Sequence, residues 1–188
     1  MLKYIEEFRK IVAITGFRNT RIGNTREFLN IIHKEKLLNV DIQFFDSELV
    51  ATWRHLYFAT INALTAFRSD RNFSKSLAME TLLYVSSQRQ IRRATELVGI
   101  KPTSTNIAAL VIAEKPEAVE LALSTISKHI DGQHDDKVLE LSKDKISKIQ
   151  ETFKITQNEL AAVIEKDNAK KALVDMVIER MALLATAH

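Results

Sequence analysis

Three arginines in one short segment are the side chains of this protein best suited to binding phosphate. The segment spans residues 87–99, SQRQIRRATELVG, and helical spacing places Arg89, Arg92 and Arg93 on one face, with Glu96 one turn further along. Guanidinium groups pair with phosphate oxygens in a bidentate geometry. The segment therefore predicts a basic helical stripe that contacts the backbone of a nucleic acid.

Three further residues complete the predicted nucleic-acid interface. Lys75 lies at the start of the preceding helix and Lys101 just beyond the stripe, so both extend its positive charge. His55, in the run RHLYF, is either a contact residue or a buried core histidine with satisfied hydrogen bonds. The stripe also has an alternative explanation, because a solvated helix face with an Arg92–Glu96 pair shows the same pattern.

The common signatures of catalysis are missing from the sequence. Neither Gly16 nor Gly23 opens a phosphate-binding loop, because no Gly-Lys-Ser or Gly-Lys-Thr follows, and no serine lies in a nucleophile-elbow motif. The absence of cysteine excludes a thiol nucleophile. His55 and Glu80 could act as an acid–base pair, although the sequence does not show that they meet. We therefore predict a protein without enzymatic activity, cofactor or small-molecule substrate.

A short polar segment at residues 130–136, IDGQHDD, has the composition of either a metal site or an exposed turn. Its candidate metal ligands are His129, Asp131, His134, Asp135 and Asp136. An Asp-Gly turn between two elements explains the same residues, and no two histidines have metal-ligand spacing on one helix. We predict a turn and no metal site.

The last helix of the sequence has an unusually wide apolar surface. Lys171, Asp175 and Glu179 form a polar stripe, and most of the other residues between 172 and 184 are apolar. Either the helix is buried on several sides, or part of it contacts a partner. For the second case the predicted partner-binding residues are Leu173, Met176, Val177, Met181 and Leu184.

Hydrophobic periodicity predicts strands that are separated by whole helices. The predicted strands are residues 10–17, 40–45, 106–113 and a short edge strand at 137–141. The predicted helices begin and end at about residues 25–36, 46–67, 74–85, 87–99, 116–128, 142–153, 157–164 and 168–185. Ser87 and Gln90 have the spacing of a capping box, and Gly99 ends the helix that follows them.

This order of elements predicts one α/β domain over residues 1–188. We expect a small mixed sheet of about four strands, packed with about seven or eight helices. Residues 106–113, NIAALVIA, are uniformly apolar, which is typical of a strand buried on both faces. The predicted core includes Ile14, Phe44, Trp53, Tyr57, Leu82, Ile91, Leu110 and Ile112.

Composition and charge restrict the environment and the partners. The chain has no cysteine, a charged N-terminal segment and no apolar run long enough to span a membrane, so we expect a cytoplasmic protein without a membrane partner. Residues 1–110 carry 16 Lys and Arg against 10 Asp and Glu, whereas residues 111–188 carry 11 against 14. A basic N-terminal part and a mildly acidic C-terminal part suggest two surfaces with different partners.

The order of several short motifs resembles that of a known family. These motifs are Phe45-Asp46, Arg54-His55-Leu56 with Ala59, Glu80-Thr81-Leu82-Leu83, Ser87-Gln88-Arg89-Gln90-Ile91 with Ala94, Gly99-Ile100, Glu140-Leu141-Ser142, the segment 155–160, and Val177-Ile178-Glu179-Arg180. Together they closely resemble the kinase-binding subunit of the KEOPS complex, the PRPK-binding protein family, over roughly residues 10–184. The sequence departs from the family at Ser87, where glycine is common, at Thr95 and at Val98.

The resemblance implies a non-catalytic regulatory subunit, of an archaeal type, that binds a small atypical kinase/ATPase. The KEOPS assembly makes the threonylcarbamoyl modification of adenosine in tRNA, and archaeal members resemble recruiters that hold the single-stranded CCA end. The basic stripe would then bind tRNA, and the apolar C-terminal helix would bind the kinase. The alternative is a free-standing RNA-binding module that has no kinase partner.

Overall fold

The computed structural model describes residues 1–35, 37–163 and 168–186. The strands are β1 (Leu2–Ile5), β2 (Lys10–Arg18), β3 (Val40–Asp46), β4 (Ile107–Ala113) and β5 (Gln133–His134). The helices are α1 (Thr25–Lys34), α2 (Trp53–Arg68), α3 (Leu77–Ser86), α4 (Ile91–Val98), α5 (Pro116–His129), α6 (Lys143–Thr152), α7 (Gln157–Val163) and α8 (Ala169–Thr186). The predicted ends of two helices, Lys36 and Ile164, lie outside the described residues.

The strands form one sheet in the order β1-β2-β4-β3, with β5 paired to the end of β2. The predicted α/β class is confirmed. Within the described strands every pair is antiparallel, so the expected mixture of parallel and antiparallel pairs is not found there. β1 was not predicted, and it forms one edge of the sheet.

Helices cover both faces of the sheet, and β4 lies between the two layers. Its residues alternate, so that Leu110 and Ile112 face α2, α3, α4 and α8, whereas Ile107 and Val111 face α1 and α5. All of β4 is buried, as its uniformly apolar sequence predicted. A third apolar cluster joins α6, α7 and the inner side of α8.

Most of the predicted core is confirmed, with one error. Ile14, Phe44, Leu82, Leu110 and Ile112 are buried. Trp53 and Tyr57 are only partly buried and pack against the edge of the same core. Ile91 is wrong, because its residue surface is 47% exposed. It occupies the first position of α4, whose core contacts come one and two turns later from Ala94 and Val98.

Several element boundaries differ from the predicted ones because a neighbouring residue supplies the cap. Asp46 caps a short 3-10 helix, Ser47–Leu49, and α2 begins only after Thr52. Ser76, rather than Ser74, caps α3. The predicted edge strand at 137–141 is instead occupied by a 3-10 helix, Asp136–Leu139, and the short strand β5 precedes it.

No helix in the described part of the chain is long and apolar enough to cross a membrane.

Candidate functional site

The predicted basic stripe is only partly helical. Ser87 ends α3 with a φ of 52°, in the left-handed region that favours glycine, so it does not form a capping box with Gln90. Gln90 is the residue before α4, and its side chain makes no cap hydrogen bond. Arg89 therefore precedes the helix, and its guanidinium carbon lies 5.7 Å from the centre of the Phe73 ring. The resemblance placed glycine at position 87, which agrees with this backbone geometry.

The rest of the stripe is exposed on α4. Arg92 and Arg93 are exposed, and Arg92 Nε donates a hydrogen bond to Glu96 Oε1 at 2.9 Å. Since this pair is fully on the surface, it contributes little to folding stability. Arg89, on the turn before α4, is exposed as well. The structure thus keeps two arginines together on α4 and places Arg89 on the adjoining turn.

A cavity of about 620 Å³ lies beside these basic residues, at the open edge of β3. Its lining includes Ser76 at the start of α3 and Ile100 just after α4. Lys75 directly precedes Ser76, and Lys101 directly follows Ile100, so both predicted lysines lie next to the cavity lining. The sequence predicted the charges but not the cavity that they flank.

The cavity combines an apolar lining with a few polar groups. Its apolar residues are Leu29, Ile32, Leu37, Leu38, Val40, Ile42, Phe44, Ala78, Met79, Leu82 and Ile100, and its polar ones include Thr25, Asp41, Gln43 and Thr95. Burial raises the pKa of the Asp41 carboxyl, although a backbone hydrogen bond from Ala78 and the charge of Lys10 act in the opposite direction. The lining comes from both sides of β3, with residues of α1 on one side and residues of α3 on the other, so the space wraps around the open edge of the strand. The sequence VDIQFF could have indicated the polar part of this lining, because strand alternation puts Asp41 and Gln43 on the same side of β3.

His55 is a core residue and cannot contact RNA in this fold. It is fully buried, its Nδ1 accepts a hydrogen bond from the Ala51 backbone N–H at 3.3 Å, and its Nε2 lies 3.0 Å from the Val85 carbonyl oxygen. Because a carbonyl only accepts, Nε2 carries the proton. Burial lowers the pKa of His55 to about 4. The hydrogen bond to Val85 acts in the opposite direction, and the positive charge of Lys145 also lowers this pKa. The assignment of His55 to the RNA-binding set was therefore wrong.

Acid is expected to destabilise the protein through His55. Its pKa is about 4 in the folded protein and has an ordinary value of 6.5. The unfolded chain therefore takes up a proton below pH 6.5 that the folded protein does not bind until about pH 4. The free energy of unfolding should fall across this window by about 3 kcal/mol. Urea unfolding between pH 7.5 and 4 measures it, and His55→Asn should flatten the pH dependence. Identical pH dependence in both proteins would contradict this account.

Glu80 has a structural role that is separate from His55. Its buried carboxylate accepts hydrogen bonds from the backbone N–H groups of Phe73 and Ser74, at 2.8 to 3.1 Å. The hydrogen bonds of His55 go to Ala51 and Val85 instead. His55 and Glu80 therefore make hydrogen bonds to separate backbone segments, and not to each other as an acid–base pair would. His55 joins the segment before α2 to the end of α3, and Glu80 holds the loop before α3, which is sufficient reason for burying them.

The polar segment after α5 is also held by internal contacts. His129 Nε2 lies 2.7 Å from Glu35 Oε1, whereas His134 Nε2 lies 2.7 Å from Thr15 Oγ1. Asp136 Oδ1 accepts hydrogen bonds from Thr15 and the Gly16 backbone. Among residues 1–35, 37–163 and 168–186, no three His, Cys, Asp or Glu side chains are grouped to hold a metal ion.

The five predicted partner-binding residues of α8 are buried inside the protein. They are Leu173, Met176, Val177, Met181 and Leu184. Leu173, Met176 and Val177 pack against α6 and α7, and Met181 and Leu184 join the core under α2 and α3. The wide apolar surface therefore reflects burial on several sides, and these residues cannot meet a partner directly. The prediction of a partner contact at these positions was wrong.

The outward side of α8 forms a surface together with α2, which we call the α2–α8 seam. On α8 it includes Asp175, Ile178 and Ala182, and on α2 Arg54, Phe58 and Ile61. Arg54 Nη1 lies 3.2 Å from Asp175 Oδ1 and joins the two helices, and the Arg54 guanidinium lies 5.9 Å from the centre of the Phe58 ring. Phe58, Ile61 and Ile178 are partly buried, and Ala182 is exposed. Phe58, Ile61 and Ile178 pack against the core and leave only part of each side chain on the surface, next to the Arg54–Asp175 ion pair.

Comparison with known proteins gives two findings. The family model described as "Kinase binding protein CGI-121" matches residues 19–185. The chain is also 32% identical over 165 residues to a protein of Methanocaldococcus jannaschii named "Regulatory protein Cgi121", and this alignment covers 88% of the chain and 98% of that relative. The family match begins directly after β2 and ends within α8. It therefore includes both the cavity beside β3 and the α2–α8 seam.

Proposed function

The chain belongs to the CGI-121 family of kinase-binding proteins, and we propose that it is the non-catalytic regulatory subunit of a KEOPS-type assembly. In this role it binds the small atypical kinase/ATPase subunit of the assembly that makes threonylcarbamoyl adenosine in tRNA. The observation that carries the proposal is the α2–α8 seam. We assign the kinase contact to this seam, in place of the buried residues of α8.

The seam has the properties of a preformed binding surface. The inner sides of both helices are anchored in the core, since α2 contributes Leu56 and Ala63 and α8 contributes Met181. The outward side chains are therefore held on rigid elements and lose little conformational entropy when a partner binds. Aromatic and arginine side chains are the types that contribute most to protein interfaces, and Phe58 with Arg54 supplies both.

A second part of the proposal is that the chain holds the single-stranded CCA end of tRNA. The support for it is the cavity beside β3, whose lining adjoins Lys75 and Lys101. Binding a single strand needs both phosphate contacts and a place for bases. Lys75, Lys101, Arg92 and Arg93 would hold phosphates, and the cavity would take an unstacked base.

The absence of catalysis is also part of the proposal. The two buried groups that had suggested acid–base chemistry, His55 and Glu80, hydrogen-bond to backbone groups of separate segments. The relative from Methanocaldococcus jannaschii is named a regulatory protein, which agrees with a role in controlling another subunit.

Mixing the purified chain with the purified kinase/ATPase subunit of the same organism tests the proposal. Sedimentation velocity should show a complex of one copy of each protein. The chain alone should not hydrolyse ATP, whereas the rate of the kinase subunit should change when the chain is added. Absence of a complex, or ATP hydrolysis by the chain alone, would contradict the proposal. Binding of tRNA without binding of the kinase would instead support the free-standing RNA-binding module.

A further inference from the structure

The outer edge of β1 is an open sheet edge with backbone groups that face away from β2. Met1 and Ile14 exchange backbone hydrogen bonds of 2.8 and 2.9 Å, and Leu2 and Tyr4 lie opposite Ala13 and Ile11 in the antiparallel register. Because hydrogen-bonded and non-hydrogen-bonded pairs alternate, the N–H and C=O groups of Leu2 and Tyr4 point outward. In the described part of the chain, β1 pairs with β2 alone.

An apolar groove runs beside this edge. The side chains of Leu2 and Tyr4 lie on the face that carries α5, yet these two residues remain 65% and 57% exposed. Between them and α5 lies a cavity of about 700 Å³, whose apolar lining includes Leu2, Tyr4, Ile11, Ala13, Val119 and Leu123. An open strand edge next to an apolar groove is the arrangement that receives an added strand.

A second copy of this chain fits the edge poorly. If two β1 strands paired antiparallel over their full length, Leu2 of each copy would face Tyr4 of the other, and the two Lys3 residues would lie directly opposite each other. Like charges in this position are destabilising. Lys3 lies on the other face of the strand, with its Nζ 5.1 Å from the centre of the Trp53 ring and 5.3 Å from that of Tyr57. Lys3 therefore disfavours pairing of β1 with the β1 strand of a second copy, and it favours an acidic residue in the strand opposite.

We propose that the β1 edge binds an extended segment of another protein, with an acidic residue between two apolar residues. The apolar residues pair with Leu2 and Tyr4 and enter the groove, while the acidic residue lies opposite Lys3 on the other face. Backbone hydrogen bonds to Leu2 and Tyr4 supply affinity, and the alternating side chains supply specificity. The inference does not depend on the proposed function, because it concerns neither the α2–α8 seam nor the cavity beside β3.

Titration of the full chain with a designed peptide tests the proposal. The probe is acetyl-Ser-Thr-Val-Glu-Val-Thr-Ser-amide, and the matched control has lysine in place of its glutamate. NMR spectra of the chain should show that the glutamate peptide binds and shifts the amide resonances of Leu2 and Tyr4. The lysine peptide should bind about tenfold more weakly, and Lys3→Glu should reverse the preference. Lys3 is exposed, so the substitution leaves the fold intact.

Two further measurements separate strand addition from other binding. Methylating the amide nitrogens of the two valines removes the donors that face β1 and should abolish binding, whereas methylating the glutamate nitrogen should have little effect. Sedimentation of the chain alone should show a monomer. No binding, equal affinity for both peptides in wild type and Lys3→Glu, or insensitivity to valine methylation would overturn the proposal. A dimer that Tyr4→Glu dissociates would also overturn it and assign the edge to a second copy.

Discussion

Replacing Ala182 with arginine is expected to weaken binding of the kinase subunit by about 100-fold, which corresponds to about 3 kcal/mol. Ala182 lies on the outward stripe of α8, in line with Asp175 and Ile178. A long charged side chain at this position would hold the two surfaces apart, or be buried against a partner without a counter-charge. Because Ala182 is exposed in the isolated chain, the variant should fold normally.

The matched control for this variant is Ser124→Arg. Ser124 is an exposed residue of α5, on the opposite side of the sheet, and its replacement makes the same change of charge. Calorimetric titration of the kinase subunit should give wild-type affinity for Ser124→Arg and the large loss for Ala182→Arg. Circular dichroism should show that both variants are folded. Wild-type affinity of folded Ala182→Arg would exclude the seam as the kinase-binding surface.

Replacing Lys75, Arg92 and Lys101 together with alanine is expected to reduce the affinity for tRNA by ten- to a hundredfold at low salt. Each phosphate contact releases counterions, so each lost contact should reduce the slope of log affinity against log salt by roughly 0.7 for a single strand. Fluorescence titrations across a salt series measure both quantities. Lys128→Ala, an exposed charge on α5, is the control and should change neither.

A separate variant tests whether a base enters the cavity beside β3. Thr95 is exposed on α4 and contributes to the cavity lining, so Thr95→Trp should fill part of this volume without disturbing the core. We expect lower affinity for tRNA with an unchanged salt slope, because no phosphate contact is removed. We also expect that tRNA lacking its CCA end binds equally weakly to both proteins. Unchanged affinity of Thr95→Trp would rule out the cavity as the base site.

The sequence predicted the buried parts of the fold better than its surfaces. The uniformly apolar strand β4 can bury both of its faces only between two layers of helices. Pro116 marks the start of α5, because a residue in the first helical turn needs no hydrogen-bond partner for its backbone nitrogen. The boundary between α3 and α4 was harder to predict. Both Ser87 and Gln90 are compatible with a helix start, and only the left-handed φ of Ser87 shows that it ends α3 instead.

The partner-binding surface could not be identified from the sequence for a physical reason. An apolar helix packed against two neighbours and an apolar helix that meets a partner have the same composition, and α8 packs both against α6 and α7 and under α2. The side of α8 that remains outside depends on α2, which is about 100 residues earlier in the chain. The strand β1 was missed because four residues that contain an exposed lysine and tyrosine show no buried periodicity.

Methyl NMR of the chain during titration with the kinase subunit tests the central claim most directly. The methyl groups of Ile61, Ile178 and Ala182 report on the α2–α8 seam, and those of Leu121, exposed on α5, report on the opposite side of the sheet. The account predicts that the three seam residues shift or broaden as the complex forms, while Leu121 keeps its resonances. Shifts at Leu121 with an unchanged seam, or no change at an excess of the kinase subunit, would contradict it.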